Sequence, residues 1–375
     1  MRRSVTLMVL LLSAASALAV GDQAYLGIFA ETKVMRIAGM PPMPAMPALP
    51  PGVDLSKIPG MRNMPAMPGA PQRLLDVRLW SPGIAPQNAS AYVAPPAGLK
   101  QGNRLDLEIY RPQAEKVSGG PFNPDAVPDF TVKIYWSSSP TVKPGQPKVI
   151  RWGGLTPEQK ELMKKQASRA ARGSYFYKPD WTTGYWPTDR QPGKIADDAS
   201  LVGGYALTTN YAGNVSIEAP ANVEFLAPIE MSSPDLGKQV PLEEPIGFVW
   251  QQIPNALGLH AVITGMEGKT TLVIWNSSEL FTDEMMGADW GYLEMARVLE
   301  LVKATVMMKG DRTSVTVPAG IFKNCEAAMF MMVGYGPGAA LDKGQPLPRI
   351  QTKTTMNIML GGRGMRGMGG MGAGE

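Results

Sequence analysis

The sequence predicts a mainly β protein made of two sandwich-like domains, each with one helical insertion, plus a disordered Met/Pro linker and a Gly/Met tail. Two observations predict the sandwich class. Apolar and polar residues alternate over short runs such as "NRLDLEIYRP" (103–112) and "DFTVKIYWSS" (129–138), and that period places every second side chain on one face of a strand. Turn-forming clusters such as "SPGIAPQN" (81–88) and "PAGLKQGN" (96–103) separate the runs, at the roughly 8–12-residue spacing of stacked antiparallel sheets.

The first residues, "MRRSVTLMVLLLSAASALA", have the form of a secretory signal. Arg2 and Arg3 precede a short apolar core, and Ala17-Leu18-Ala19 fits the small-residue cleavage rule, so 1–19 is expected to be removed. The apolar core is too short to span a bilayer, and no later run is long enough to be a transmembrane helix. The expected location is the periplasm or the outside of a bacterial cell. Residues 20–39 hold "AYLGIFAETKVMRI", a candidate strand. Residues 40–71 are rich in Met, Pro, Ala and Gly. Proline every few residues forbids helix and sheet interior and favours polyproline II, so the segment is expected to be a linker.

The first domain is expected over 72–221. Its strands include "RLLDVRLW", "ASAYVAPP" and "PKVIRW", with two more in "LVGGYALTTNYAGNVSIEAP" around a turn at 210–214. One helix interrupts them at 156–172. Thr156 can cap it, Pro157 suits the first helical position, and Gln159 completes a capping box. Glu158 and Glu161 lie early and Lys164, Lys165, Arg169 and Arg172 late, as the helix dipole prefers, and Gly173 stops it.

The second domain is expected over 222–360, with strands in "PIGFVWQQIP", "GLHAVITGME", "TTLVIWNSS", "TSVTVPAGIF", "EAAMFMMVGYGPG" and "RIQTKTTMNIML". A helix is expected at about 290–304, where Leu293, Ala296, Leu299 and Val302 recur at helical spacing. Residues 361–375 form the Gly/Met-rich tail. Within this half, "PIGFVWQQIPNALGLHAVI" (245–263) resembles the strand B to strand C region of fibronectin type III and related Ig-like modules. Trp250, Ile253, Pro254, Ala256 and Gly258 carry the resemblance, while Leu259 stands where the family prefers tyrosine. The resemblance implies an Ig-like sandwich with Trp250 in its core. It implies no activity, because this architecture serves adhesion, carbohydrate binding and spacing alike.

Charge and rare residues narrow the chemistry. Without the leader, 34 basic and 32 acidic side chains remain, a net charge of +2. That balance gives no reason to expect nucleic acid as a partner. Cys325 is the only cysteine, so no intramolecular disulfide forms, and it is expected to be a buried small hydrophobe. His260 is the only histidine and lies in an alternating apolar run with no G-x-S-x-G elbow, so it is expected to be structural. No nucleophile, metal cage or cofactor loop is recognisable, and the expected function is that of an exported, non-enzymatic binding or structural envelope protein, its ligand a glycan or another protein, with no cofactor.

Two candidate surfaces remain. The stretch 174–193 gathers Tyr175, Phe176, Tyr177, Trp181, Tyr185 and Trp186 with charged neighbours. As a loop it can serve as a stacking platform for a glycan or a protein, or its rings can fold inward as a satellite core. The second surface is three Met triplets, each spaced by three: Met40, Met43, Met46; Met61, Met64, Met67; and Met365, Met368, Met371. Soft thioethers are ligands for Cu(I), which makes metal handling the alternative function. In polyproline II each triplet would share one face with sulfurs roughly 9 Å apart, too far to wrap one ion unless the chain bends. Duplicated repeats or an adhesive apolar stripe account for the same pattern.

Overall fold

A computed structural model describes residues 24–40, 69–112, 130–158, 160–161, 180–188, 192–282, 290–291, 293–341 and 349–361. The described chain is mainly β. In order, its strands are β1 (Tyr25–Ile37), β2 (Gln72–Ser81), β3 (Ala91–Ala94), β4 (Leu105–Asp106), β5 (Glu108–Tyr110), β6 (Thr131–Trp136), β7 (Lys148–Arg151), β8 (Thr182–Trp186), β9 (Gly193–Ile195), β10 (Gly203–Thr209) and β11 (Val215–Ala219). There follow β12 (Met231–Ser233), β13 (Ile246–Trp250), β14 (Gly258–Glu267), β15 (Thr271–Asn276), helix α1 (Met295–Lys303), β16 (Met308–Lys309), β17 (Ser314–Val317), β18 (Cys325–Tyr335), β19 (Ala339–Ala340) and β20 (Arg349–Leu360).

One long sheet runs β5-β8-β2-β1-β20-β18-β14-β15-β6-β7 and passes through the expected boundary at 221/222. Two smaller sheets cover one of its faces. The four-stranded sheet β11-β10-β3-β4 packs Val93, Tyr205, Leu207 and Ile217 onto Leu26, Ile28 and Val77 of the long sheet. The three-stranded sheet β12-β13-β17 packs Phe248, Trp250 and Val315 onto Ile263, Trp275 and Phe330. Two sandwich cores therefore share one common layer.

The shared layer is joined at β1 and β20, which pair in parallel from Gly27 opposite Arg349 to Ile37 opposite Met359. The inward residues of β1 serve both cores: Leu26, Ile28 and Ala30 enter one, and Val34 and Ala38 the other. Similarly, Ile350 of β20 joins the first core, and Met356, Ile358 and Leu360 join the second. Each fully buried Leu, Ile or Val is worth about 1.5–3 kcal/mol of burial free energy. Between the cores the inward positions turn polar. Thr32 donates to the Leu226 carbonyl at 2.7 Å, and Thr352 donates to the Pro337 carbonyl at 2.7 Å.

Several expectations change here. The 20–39 segment supplies a central strand of the long sheet. The ends of the 40–71 segment meet, because β1 and β2 are antiparallel neighbours and the Gly69 amide donates to the Met35 carbonyl. The expected linker itself lies, over 41–68, outside the described residues. Of the expected 156–172 helix, residues 157, 158, 160 and 161 are helical, and 162–172 lie outside the described residues. The second helix starts at Met295 instead of 290. Its buried residues are Val298 and Leu301, with the expected Leu293 and Val302 packed beside them, whereas the expected Leu299 is 49 % exposed. The dense packing of Val298, Val302 and Met307 against Gly258 explains the choice. A Cβ at Gly258 would lie 2.6 Å from the Met307 sulfur and 2.8 Å from Val302.

Candidate binding pocket

The long sheet's second face is not covered by either small sheet. At one end, parts of β1 and β20 and the β18–β19 connection form a floor, and Gly291, Leu293, Glu294, Met295, Ala296 and Val298 form a wall. Between them lies a cavity of about 380 Å³. Phe29, Leu293, Met295, Ala296, Ala340 and Ile350 give it an apolar lining.

The wall is held by a ladder of side chains. Alternate residues of a strand point to one face. Accordingly Arg349, Gln351 and Lys353 of β20 rise together and grip Glu294, Leu293 and Gly291 in turn. Arg349 Nη2 donates to Glu294 Oε1 at 2.8 Å, Gln351 Nε2 to the Leu293 carbonyl at 2.6 Å, and Lys353 Nζ to the Gly291 carbonyl at 3.3 Å. Tyr335 Oη donates to the Trp290 carbonyl. This use of Glu294 and Leu293 holds the segment extended and delays the helix until Met295. The polar alternation in "RIQTKTT" (349–355) was the signal for an outward face, but its partners are distant in sequence.

Trp290 also lies flat on His260, with ring centroids 3.8 Å apart and an interplanar angle of 9°. His260 is 2 % exposed, its Nδ1 has no hydrogen-bond partner, and burial pushes its pKa down to about 3. The imidazole is neutral at physiological pH and serves as a packing ring. Cys325 opens β18, is 8 % exposed, and burial pushes its thiol up to about 11. Neither group is poised as a nucleophile.

The charges beside the pocket are paired. Lys353 lies 3.5 Å from Glu31, which also accepts from Thr355, and Arg78 bonds Asp76 at 2.6 Å. Burial nevertheless holds the Asp76 carboxyl above its usual range, outweighing the nearby Arg78 guanidinium. Arg78 lies over the rings of Phe29 and Tyr185, and Phe29 meets Trp80 edge-on at 6.4 Å.

The predicted aromatic residues are only partly brought together. Residues 182–186 form β8, so this part of the expected loop is a strand. Trp181 stacks on Tyr25 at 5.2 Å, and Tyr185 meets Tyr110 edge-on at 5.4 Å on the same face as Arg78. Trp186 stands opposite Val77 and turns to the opposite face, against the first core, where a Cβ at Gly193 would lie 2.5 Å from its ring. Tyr175 and Tyr177 lie outside the described residues. Of the metal candidates, Met40 is 44 % exposed at the end of β1, and Met43, Met46, Met61, Met64, Met67, Met365, Met368 and Met371 lie outside the described residues. Among the described residues, no group of three His, Cys, Asp or Glu side chains is arranged for a metal ion, and no helix is long and apolar enough to cross a membrane.

No protein-family model matches this chain, and a search of curated proteins finds no significant match.

Proposed function

We propose that the chain is an exported, non-enzymatic binding protein of the periplasm or extracellular space, and that its pocket receives an apolar anchor of a protein partner. The observation that carries this reading is the apolar recess of about 380 Å³ whose neighbouring charges are already paired. Such a recess gains free energy by burying apolar surface and loses little by desolvating charge. A glycan is the weaker fit. Stacking on sugars needs open ring faces, and Tyr25, Trp181 and Phe29 each already have one face taken, by one another or by Arg78. The Cu(I) reading rests on the Met triplets alone.

The fibronectin type III resemblance is retained as a proposal for the C-terminal half. It is supported by β13 and β14 lying in facing layers and by Trp250, 2 % exposed, packing between them. Two sandwich-type domains joined through one sheet is the corresponding proposal for the whole chain.

The test is a photo-crosslinking residue placed at Ala340, which lines the recess and is exposed, with a control at the exposed Lys269 of the β14–β15 turn. The expected result is a discrete crosslinked partner in cells from Ala340 alone, lost when Ala296→Trp fills the recess. Equal crosslinking from both positions, or an unchanged adduct in Ala296→Trp, would overturn the reading.

A further inference from the structure

Away from the pocket, the same uncovered face of the long sheet is apolar and rich in methionine. The registers give its rows. Ile37 stands opposite Met359, Met359 opposite Met329, Met329 opposite Thr264, and Thr264 opposite Ile274. In the next row Met35 faces Asn357, Asn357 faces Met331, and Met331 faces Val262. Residues opposite one another on paired strands share a face. Their sequence neighbours Ile358, Phe330 and Ile263 fill the second core on the other side. Met35, Met329, Met331 and Met359 are only half-buried and belong to none of the three cores, and Met266, at the edge of this face, is 38 % exposed. An apolar sheet face of this extent is rarely left to water.

We propose that residues 41–68 of the same chain dock on this face. Three observations select that occupant. The segment is rooted beside the rows, since the Met40 amide donates to the Ile37 carbonyl and the Gly69 amide to the Met35 carbonyl, while the Gly39 amide donates to the Leu236 carbonyl. Its length suffices. Half of its 28 residues in polyproline II form reach about 43 Å, and the face from β1 to β6 is about 24 Å wide. Its composition suits an apolar face: five methionines with leucine, valine and isoleucine accompany only Asp54, Lys57 and Arg62 as charges.

The spacing by three also acquires a reason. Three residues of polyproline II advance about 9.3 Å, close to the roughly 9.5 Å between alternate strands of a sheet. A segment crossing the strands therefore sets one thioether against every second strand. Thioethers adapt to irregular apolar gaps, and proline restricts the free chain, so less entropy is lost on docking. The tail from 362 leaves the same end but is glycine-rich and tethered once, which makes it the poorer occupant.

The experiment compares sulfoxide formation at Met35, Met331 and Met359 under a fixed dose of hydrogen peroxide, read by peptide mass spectrometry. The chain from Val20 is set against a variant in which 41–68 is replaced by Asn-Gly. A second variant keeps the segment but carries Met43→Gln, Met46→Gln, Met61→Gln, Met64→Gln and Met67→Gln, and it decides the matter if the deletion fails to fold. The expected result is oxidation at least fivefold faster in the variants, with protection unchanged on removing 362–375. Equal rates in all chains would overturn the proposal. So would protection that disappears with the tail, or protection that rises with protein concentration, which would assign the face to the tail or to a second copy.

Discussion

His260 makes the chain's stability sensitive to mild acid in a calculable way. The imidazole is 2 % exposed against Trp290, and burial lowers its pKa from 6.5 to about 3. Between these values the unfolded chain binds a proton that the folded chain refuses. The His260 contribution to stability is therefore constant above about pH 6.5, falls as pH drops through the window, and levels off below about pH 3. Each pH unit inside the window costs about 1.4 kcal/mol, so lowering the pH from 7 to 4 removes about 3 kcal/mol through this residue alone. The assay is urea denaturation of the wild type and His260→Phe at both pH values. Carboxylates and the rest of the chain titrate in both proteins, and a constant packing penalty from the larger ring cancels in the difference. The wild type is expected to lose about 3 kcal/mol more than the variant across this interval. Parallel losses, agreeing within about 1 kcal/mol, would refute the buried neutral imidazole.

Other expectations follow from the packing. Thr32→Val keeps the side-chain shape but orphans the buried Leu226 carbonyl, and a loss of about 1–3 kcal/mol in chemical denaturation is expected. Gly193→Ala forces a Cβ into the Trp186 ring, and is expected to cost about 1–3 kcal/mol and to shift tryptophan emission; an unchanged spectrum and stability would mean that Trp186 is free to move. Because β1 and β20 each serve both cores, calorimetry of the whole chain is expected to show one unfolding transition, and two well-separated transitions would contradict the shared sheet. Titration with Ag(I), a redox-stable substitute for Cu(I), tests the metal alternative by methionine methyl NMR. Saturable shifts confined to the triplets at low micromolar ion would support it, and unshifted methyls would remove it.

Strand positions were readable wherever one side of the chain is buried. "SVTV", "TLVIWN" and "RIQTKTTMNIML" each became a strand because alternation records a face, and a face is a local property. The turn at 210–214 was equally local, between β10 and β11. The lone histidine in an apolar run was legible as a packing residue for the same reason. The face of α1 was not. Leu293, Ala296, Leu299 and Val302 offered a helical stripe, but Gly258 admits Val298 and Val302, and Leu299 points to water. Where several apolar stripes compete, the opposing surface chooses among them.

The pocket was invisible for a related reason. Phe29, Leu293, Tyr335 and Arg349 come from distant parts of the chain and meet only because β20 pairs with β1 on one side and β18 on the other. The aromatic cluster at 174–193 was visible as composition, yet alternation along β8 sends Tyr185 and Trp186 to opposite faces. By itself, the sequence determined a mainly β chain and the places of its strands and turns, because these depend on neighbours along the chain. Only the tertiary structure decided that the two cores share one sheet, that β1 and β2 pair on either side of 41–68, and that a recess forms beside Arg349. Pairing between first and last strands depends on contacts more than three hundred residues apart, which no local period encodes.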